Sequence, residues 1–266
     1  MTEITGSTRV MAILADPIHH VMTPQGINRL MAERGVDAAM IPIHVPADGL
    51  EALVRGLRHV PNLDGFVVTV PHKTAMTALC DVLTPAASRV GAVNVVRRLP
   101  DGRLRGGILD GEGFVAGLRK HGIEPEGKSV YLAGAGGAAS AIAYALAEAQ
   151  VGRLTIANRS VDKALELVGK LRNDFAKLEA VVGTTDPSGH ALVVNATSLG
   201  LRVTDPFPLD VASLTADQLV VEIIMKPADT PLLLAAARMG CRIQYGAPML
   251  SSQIELMAAF MRGEHE

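Results

Sequence analysis

The chain has 266 residues, of which 48% are hydrophobic and 20% charged, with 25 Lys and Arg against 27 Asp and Glu. This balance excludes a disordered chain, a collagen-like fibre and a strongly basic nucleic-acid binder. The length exceeds the roughly 100–150 residues of a usual domain and predicts one large α/β unit or two smaller domains. No apolar run approaches the roughly 20 residues of a membrane span and the N-terminal segment is too polar for a signal peptide, so we expect a cytoplasmic protein without membrane or nucleic-acid partners.

The first hundred residues alternate strand-like and helix-like segments. An apolar strand at 10–15 precedes a helix in which Thr23 is the predicted N-cap and Pro24 the first residue, ending at Gly35. The next predicted elements are strand 40–45, helix 50–57, strand 65–70, helix 73–79 and strands 93–98 and 103–108. The last two strands flank a Pro-Asp-Gly turn and predict a hairpin.

From about residue 112 the alternation becomes regular. The predicted elements are helix 115–120, strand 129–133, helix 138–147, strand 154–157, helix 161–171, strands 178–182, 192–195 and 219–224, a further helix, strand 242–245 and helix 249–261. Such alternation is typical of a parallel sheet covered on both faces. The sequence therefore predicts an α/β fold.

The sharpest motif is the segment Gly134-Ala135-Gly136-Gly137-Ala138-Ala139, which follows a predicted strand and opens a predicted helix. Gly134 allows a tight turn, Gly136 lets the backbone approach a pyrophosphate, and small Ala139 permits close packing of helix and strand. The free N–H groups of the helix can bind phosphate oxygens. The alternative is a turn of small residues without a ligand, but the context favours dinucleotide binding.

The end of the following strand indicates which dinucleotide is bound. An NAD site would place Asp or Glu there to accept a hydrogen bond from the ribose 2′-OH. This chain instead has Asn158-Arg159-Ser160, with Lys163 one turn later. A guanidinium pairs well with a 2′-phosphate, so the segment predicts NADP. A capped helix start, with Asn158 or Ser160 as N-cap and Arg159 in solvent, is a compatible second interpretation.

Three more polar residues, Lys73, Asn94 and Asp110, follow predicted strands or begin helices, where catalytic groups of α/β proteins often lie. Taken singly, a surface lysine, a turn asparagine and an N-cap aspartate are their ordinary interpretations. The histidines lack the spacing of a zinc site, so no metal is predicted. Cys80 and Cys241 predict reduced thiols buried as small hydrophobes.

Together these segments resemble the shikimate dehydrogenase family nearly from end to end. The matching segments are Asp16-Pro17-Ile18 with Thr23-Pro24, Val68-Thr69-Val70-Pro71-His72-Lys73, Gly91-Ala92-Val93-Asn94, Asp110 with Gly113-Phe114, the loop 134–139, Asn158-Arg159-Ser160, Asn195-Ala196-Thr197-Ser198-Leu199-Gly200, Pro227 with Thr230-Pro231-Leu232, and Met249-Leu250 with Gln253. So many segments in the same order are hard to obtain by chance.

The resemblance implies an N-terminal α/β substrate-binding domain, residues 1–108 and 240–266, that the last helix completes. It also implies a Rossmann-like, doubly wound NADP-binding domain at 109–239, and reversible reduction of 3-dehydroshikimate to shikimate. The partners would be this small-molecule substrate and, unless the protein is a monomer, a second copy in a homodimer. The implied roles are Lys73 and Asp110 as the catalytic pair, Thr69, Asn94 and Gln253 on ring hydroxyls, and Asn195, Thr197, Ser198 and Leu199 against the cofactor.

Departures from the family pattern concern the substrate. Members usually carry two serines that hold the substrate carboxylate, where this chain has Val21 and Thr23. The usual Asn, Asn-Thr and Tyr elsewhere are replaced by Val67, Ile108-Leu109 and Met225. The alternatives are therefore a dehydrogenase of quinate, an aminoshikimate or another hydroxylated carboxylate, or a non-catalytic NADP-binding sensor. The retained Lys73 and Asp110 favour an enzyme.

Overall fold

The computed structural model describes residues 3–19 and 21–264. The chain divides into two compact units, one formed by Met1–Leu109 with Ser251–Glu266 and the other by Asp110–Leu250. Each unit contains a six-stranded sheet, as expected for the predicted α/β class. Across the two described ranges, no helix combines the length and apolar character that crossing a membrane requires.

The first unit is built on a mixed sheet. Its elements are β1 (Arg9–Ala15), α1 (Thr23–Glu33), β2 (Ala38–His44), α2 (Leu50–Leu57), β3 (Leu63–Val68), α3 (Met76–Leu79), β4 (Val82–Leu83), α4 (Pro85–Val90), β5 (Val95–Arg98) and β6 (Leu104–Gly107). The strand order is β2-β1-β3-β5-β6-β4. β1 runs parallel to β2 and β3, whereas β5 runs antiparallel to β3 and β6. The β5–β6 pair is the predicted hairpin.

The second unit contains an entirely parallel sheet. Its elements are α5 (Asp110–Lys120), β7 (Ser129–Ala133), α6 (Gly137–Glu148), β8 (Arg153–Ala157), α7 (Val161–Asp174), β9 (Glu179–Val182), β10 (Leu192–Asn195), a 3₁₀ turn (Val211–Ser213), β11 (Leu219–Glu222), α8 (Pro231–Arg238) and β12 (Arg242–Gln244). The last helix, α9 (Ala247–Arg262), begins at the end of this unit, but most of its residues belong to the first. The strand order is β12-β11-β10-β7-β8-β9. This is the doubly wound order of dinucleotide-binding sheets, in which the ligand crevice lies at the carboxyl ends of the two central strands, here β7 and β10.

The core of the first unit joins its first strand to the C-terminal helix. Met11 and Ile13 of β1 are buried in one apolar cluster with Met257, Phe260 and Met261 of α9. These helical residues recur at the spacing of one helix face. The C-terminal helix therefore completes the first unit, as the resemblance implied.

The structure corrects two expectations from the sequence. Residues 240–250 were expected in the first unit, but β12 pairs in parallel with β11, and this pairing places them in the second. Thr23 was expected to be the N-cap of α1, but Met22 holds that position without a side-chain hydrogen bond. Because Thr23 lies inside the first turn, its hydroxyl does not cap the helix.

Close packing of α5 on α6 depends on Gly111. A Cβ atom at Gly111 would lie 2.0 Å from the carbonyl oxygen of Ala141. We expect Gly111→Ala to lower the free energy of unfolding by about 1–3 kcal/mol, because the two helices must separate. The exposed Gly56 of α2, whose added Cβ would meet nothing within 4 Å, is the matched control. We expect Gly56→Ala to stabilise by about 0.5–1 kcal/mol. Urea unfolding measures both, and an unchanged Gly111→Ala midpoint would contradict this packing.

Candidate active site

The glycine-rich turn lies at the carboxyl edge of the second sheet. Gly134 has φ of +121°, and a Cβ there would lie 2.8 Å from the carbonyl oxygen of Ala196, so only glycine lets the turn approach the segment after β10. In contrast, Cβ atoms at Gly136 and Gly137 would meet nothing within 4 Å. α6 begins here without a side-chain cap, so its first N–H groups are available to an anion. The other predicted residues, Ala135 and Ala138, lie in the turn and in the first turn of α6.

The segment after β8 leads directly into α7. Ser160 is the N-cap of α7 by backbone position, but its side chain makes no capping hydrogen bond. The amide of Asn158 donates to the carbonyl of Ser160 at 2.9 Å and so shapes the turn. Arg159 and Lys163 are both exposed. The turn and the start of α7 thus present one cation each to solvent, and positions 158–160 hold no carboxylate, which suits a 2′-phosphate.

The loop after β10 is held by the side chain at its start. Buried Asn195 accepts hydrogen bonds from the N–H and the hydroxyl of Thr197, at 3.0 and 2.7 Å. Its amide donates to the carbonyl of Leu199 at 3.0 Å. The N–H of Leu199 donates to the Thr197 hydroxyl, and Ser198 is exposed at the tip. Asn195 therefore shapes this loop from the inside.

Sequence analysis missed Glu222, the last residue of β11. The parallel register places it beside Asn195, whose amide donates to both carboxylate oxygens at 3.1 and 2.9 Å. Burial raises the pKa of the Glu222 carboxyl above its usual range, and the hydrogen bonds it accepts oppose this rise. The available signal was an acidic residue inside an otherwise apolar predicted strand.

The segment that follows β3 positions Lys73 in the first unit. The N–H of His72 donates to the carbonyl of Thr69 at 2.9 Å, and the ring Nε2 of this buried histidine donates to the carbonyl of Val45 at 2.8 Å. The N–H of Val93 donates to the carbonyl of Lys73 at 2.9 Å. These bonds fix the backbone on both sides of a half-buried lysine.

Asn94 and Asp110 are the next two candidate site residues along the chain. The side-chain oxygen of buried Asn94 accepts a hydrogen bond from the N–H of Leu109 at 2.9 Å. This bond fixes the residue immediately before Asp110. Asp110 is itself buried and begins α5, where a helix favours an acidic residue.

The remaining predicted substrate residues belong to the first unit. Thr23 and Gln253 are buried, and Thr69 is half-buried. All three lie in the same compact unit as Lys73 and Asn94. The predicted glycine-rich loop, the segment 158–163 and the loop 195–199 all belong to the second unit.

An apolar cluster lies against Val21, one of the two positions predicted for carboxylate binding. Half-buried Val21 packs against the large core cluster of the first unit, to which Val67 and Leu109, two other departures, also belong. Ile108 is also buried, whereas Met225 belongs to the second unit and is 44% exposed. A ligand beside Val21 would therefore meet methyl groups where the resemblance implied a hydroxyl.

Neither metal nor thiol chemistry is indicated by the described side chains. In the ranges 3–19 and 21–264, no three His, Cys, Asp or Glu side chains are grouped so as to hold a metal ion. Both cysteines are free, with Cys241 buried and Cys80 only half-buried, which is less than expected. Burial raises the pKa of the Cys80 thiol to about 12, so this thiol is protonated at neutral pH and a poor nucleophile.

Two family models match the chain. Residues 13–96 match the shikimate dehydrogenase substrate binding domain, and residues 118–197 match shikimate / quinate 5-dehydrogenase. A shikimate dehydrogenase (NADP(+)) of Rubrobacter xylanophilus is 40% identical over 238 residues, covering 88% of this chain and 84% of that protein.

Solved structures show the same architecture. Shikimate 5-dehydrogenase of Thermus thermophilus, in complex with NADP(H) and shikimate, matches with a TM-score of 0.87 and 30% identity, covering 96% of this chain and 94% of that one. The ligand-free 5-ketofructose reductase of a Gluconobacter species matches with a TM-score of 0.87 and 32% identity, covering 96% and 93%. Proteins that are similar to this chain to the same extent are thus named for different substrates.

Proposed function

The chain belongs to the shikimate dehydrogenase family, and we propose that it is an NADP-dependent oxidoreductase that moves a hydride reversibly between NADP(H) and shikimate or a close analogue. The first unit, which contains the matched substrate-binding domain, would bind the substrate. The second unit, with the doubly wound sheet, would bind NADP.

The proposal rests mainly on the groups found at the carboxyl ends of β7 and β8 in the second sheet. The open space over Gly136 and Gly137 and the uncapped start of α6 suit a pyrophosphate. The exposed Arg159 and Lys163 suit a 2′-phosphate one strand further along. These residues fit NADP better than NAD, because positions 158–160 lack the acid that would accept from a ribose hydroxyl.

The chemistry requires a base beside the hydride transfer. When bound, NADP+ would supply the hydride acceptor. Oxidation of a secondary alcohol also releases the hydroxyl proton, and we assign its acceptance to the amine of Lys73. By the family resemblance, the carboxylate of Asp110 would orient the reacting hydroxyl. The fixed backbone around both residues supports this assignment, since general bases act only when they are positioned.

A panel of alcohols tests the proposal directly. Shikimate, quinate and neutral polyols are offered with NADP+ and with NAD+, and absorbance at 340 nm reports the reduced cofactor. We expect turnover with NADP+ and at least one hydroxylated six-carbon ring. Tight NADP binding without turnover of any alcohol or ketone would instead establish the non-catalytic sensor.

A second candidate substrate class is favoured by the apolar surroundings of Val21. A carboxylate needs hydrogen-bond donors, and burying one among methyl groups is costly. A neutral polyhydroxylated ketone makes no such demand, and the name of the Gluconobacter relative specifies a ketose derivative without a carboxylate. We therefore include 5-ketofructose with NADPH in the panel as the neutral arm.

Arg159 is expected to select the cofactor. We predict that Arg159→Ala weakens NADP+ binding about tenfold and leaves NAD+ binding unchanged, because a guanidinium–phosphate contact is charge-assisted yet, at this exposed position, screened by solvent. Isothermal titration with both cofactors measures this, with Arg172→Ala, at the far end of α7, as control. Equal loss for both cofactors would show that residues 158–160 only begin the helix.

We also propose that the protein acts in the cytoplasm as a monomer or a homodimer, without nucleic-acid or membrane partners. The nearly equal numbers of acidic and basic residues, 27 and 25, support this absence of polyanionic partners. Light scattering on the purified protein distinguishes monomer from dimer.

A further inference from the structure

Glu222 is a buried carboxylate surrounded by hydrogen-bond donors. Its side chain lies at the carboxyl end of β11 and is 1% exposed. Besides the amide of Asn195, it accepts from the N–H groups of Ile223 and Ile224, at 2.9 and 3.1 Å, and from the hydroxyl of Thr230 at 3.0 Å. Within the described part of the chain, no Lys, Arg or His forms an ion pair with it.

These donors belong to three separate segments. Asn195 begins the loop 195–200, Ile223 and Ile224 follow β11, and Thr230 is the N-cap of α8. The loop also lies close to the other two segments, since a Cβ added at Gly200 would lie 3.4 Å from the side chain of Ile224 and 3.5 Å from that of Thr230. The Glu222 carboxylate is therefore hydrogen-bonded to the start of the loop after β10, to the residues that follow β11 and to the N-cap of α8.

The same loop reaches the glycine-rich turn. The carbonyl oxygen of Ala196 lies 2.8 Å from the position of a Cβ on Gly134. In doubly wound sheets, the half that contains β7 and β8 binds the adenine nucleotide, and the half that contains β10 and β11 binds the second nucleotide. Glu222 thus lies beneath the half that would hold the nicotinamide.

We propose that Glu222 is a positioning residue for the nicotinamide half of NADP, which it serves by holding the loop 195–200, residues 223–224 and the start of α8 in one arrangement. The inference rests on the proposed NADP-dependent function. All of its partners donate, so an isosteric amide at this position would turn its own NH₂ group toward the amide of Asn195. Asn195 would then lose one of its two hydrogen bonds to residue 222 and face a second donor instead, which shifts its side chain away from Thr197 and loosens the loop.

The test compares whole NADP+ with its adenine half. We expect Glu222→Gln to raise the Kd of NADP+ about tenfold and to lower kcat, while the Kd of adenosine 2′,5′-bisphosphate stays within twofold of wild type. Isothermal titration is suitable because the chain has no Trp to report binding by fluorescence. Glu179→Gln removes a carboxylate at the exposed start of β9 and serves as the control.

The outcomes separate positioning from general damage. Equal weakening of both ligands would mean that Glu222 only stabilises the second unit and would overturn the proposal, as would unchanged binding of both. If Glu222→Gln fails to fold, Thr230→Val removes one donor and is judged by the same ratio of affinities. Failure of the wild type to bind NADP+ would instead reject the proposed function itself.

Discussion

Lys73→Ala is expected to lower kcat by roughly 10²–10⁴ and to leave the affinity for NADP+ unchanged, because removing a general base costs the chemical step and not cofactor binding. Lys73 belongs to the first unit, whereas the predicted cofactor loops belong to the second. Steady-state kinetics on the best substrate gives kcat, and titration of NADP+ gives the affinity. Together they distinguish loss of chemistry from loss of structure.

Two further variants sharpen this result. Lys177→Ala removes an exposed lysine before β9 and should leave kcat unchanged. Asp110→Asn should lower kcat less than Lys73→Ala, since the amide keeps the shape of the carboxyl but not its charge. If Lys73→Ala retained more than half of the wild-type kcat, another group would have to accept the proton.

The second sheet was the most predictable part of the fold. β7 and β10 were predicted with their observed bounds, 129–133 and 192–195, because strands buried on both faces form continuous apolar runs. The predicted hairpin likewise depended on a local turn signal. In contrast, the two-residue β4 and the six-residue α4 were not predicted, because neither is long enough to show a period. α4 did carry capping signals at both ends, Thr84-Pro85 and Gly91.

The residues of the candidate site also differ in how far they could be predicted from local sequence. The glycine-rich loop could be predicted because its chemistry and its backbone requirement lie in six consecutive residues. The acid at position 222 was visible in an apolar predicted strand, but its role was not, because its donors come from positions 195, 223, 224 and 230 and meet only through the register of β10 and β11. The domain boundary near residue 240 was misplaced for the same reason, since pairing of β12 with β11 is a long-range contact.

Val21→Ser is expected to distinguish a carboxylate substrate from a neutral one. A hydroxyl that donates to a carboxylate contributes roughly 1.5–3 kcal/mol. If the substrate carboxylate lies beside residue 21, the new hydroxyl should therefore lower the KM for that substrate by about 10- to 100-fold. The wild type should accordingly bind shikimate poorly. Val21→Ala is the matched control, because it removes the methyl groups without adding a donor.

The comparison of the two variants then decides between substrate classes. A lower shikimate KM for Val21→Ser but not for Val21→Ala would place the carboxylate at this position. If neither variant improves shikimate, the carboxylate does not lie beside residue 21, and half-buried Val21 is better understood as part of the apolar surroundings of a neutral ketone. In that case Val21→Ser should also weaken the best neutral substrate, because a half-buried hydroxyl without a partner costs about 1–3 kcal/mol in an apolar wall. KM values for shikimate and 5-ketofructose, measured on all three proteins, complete this test.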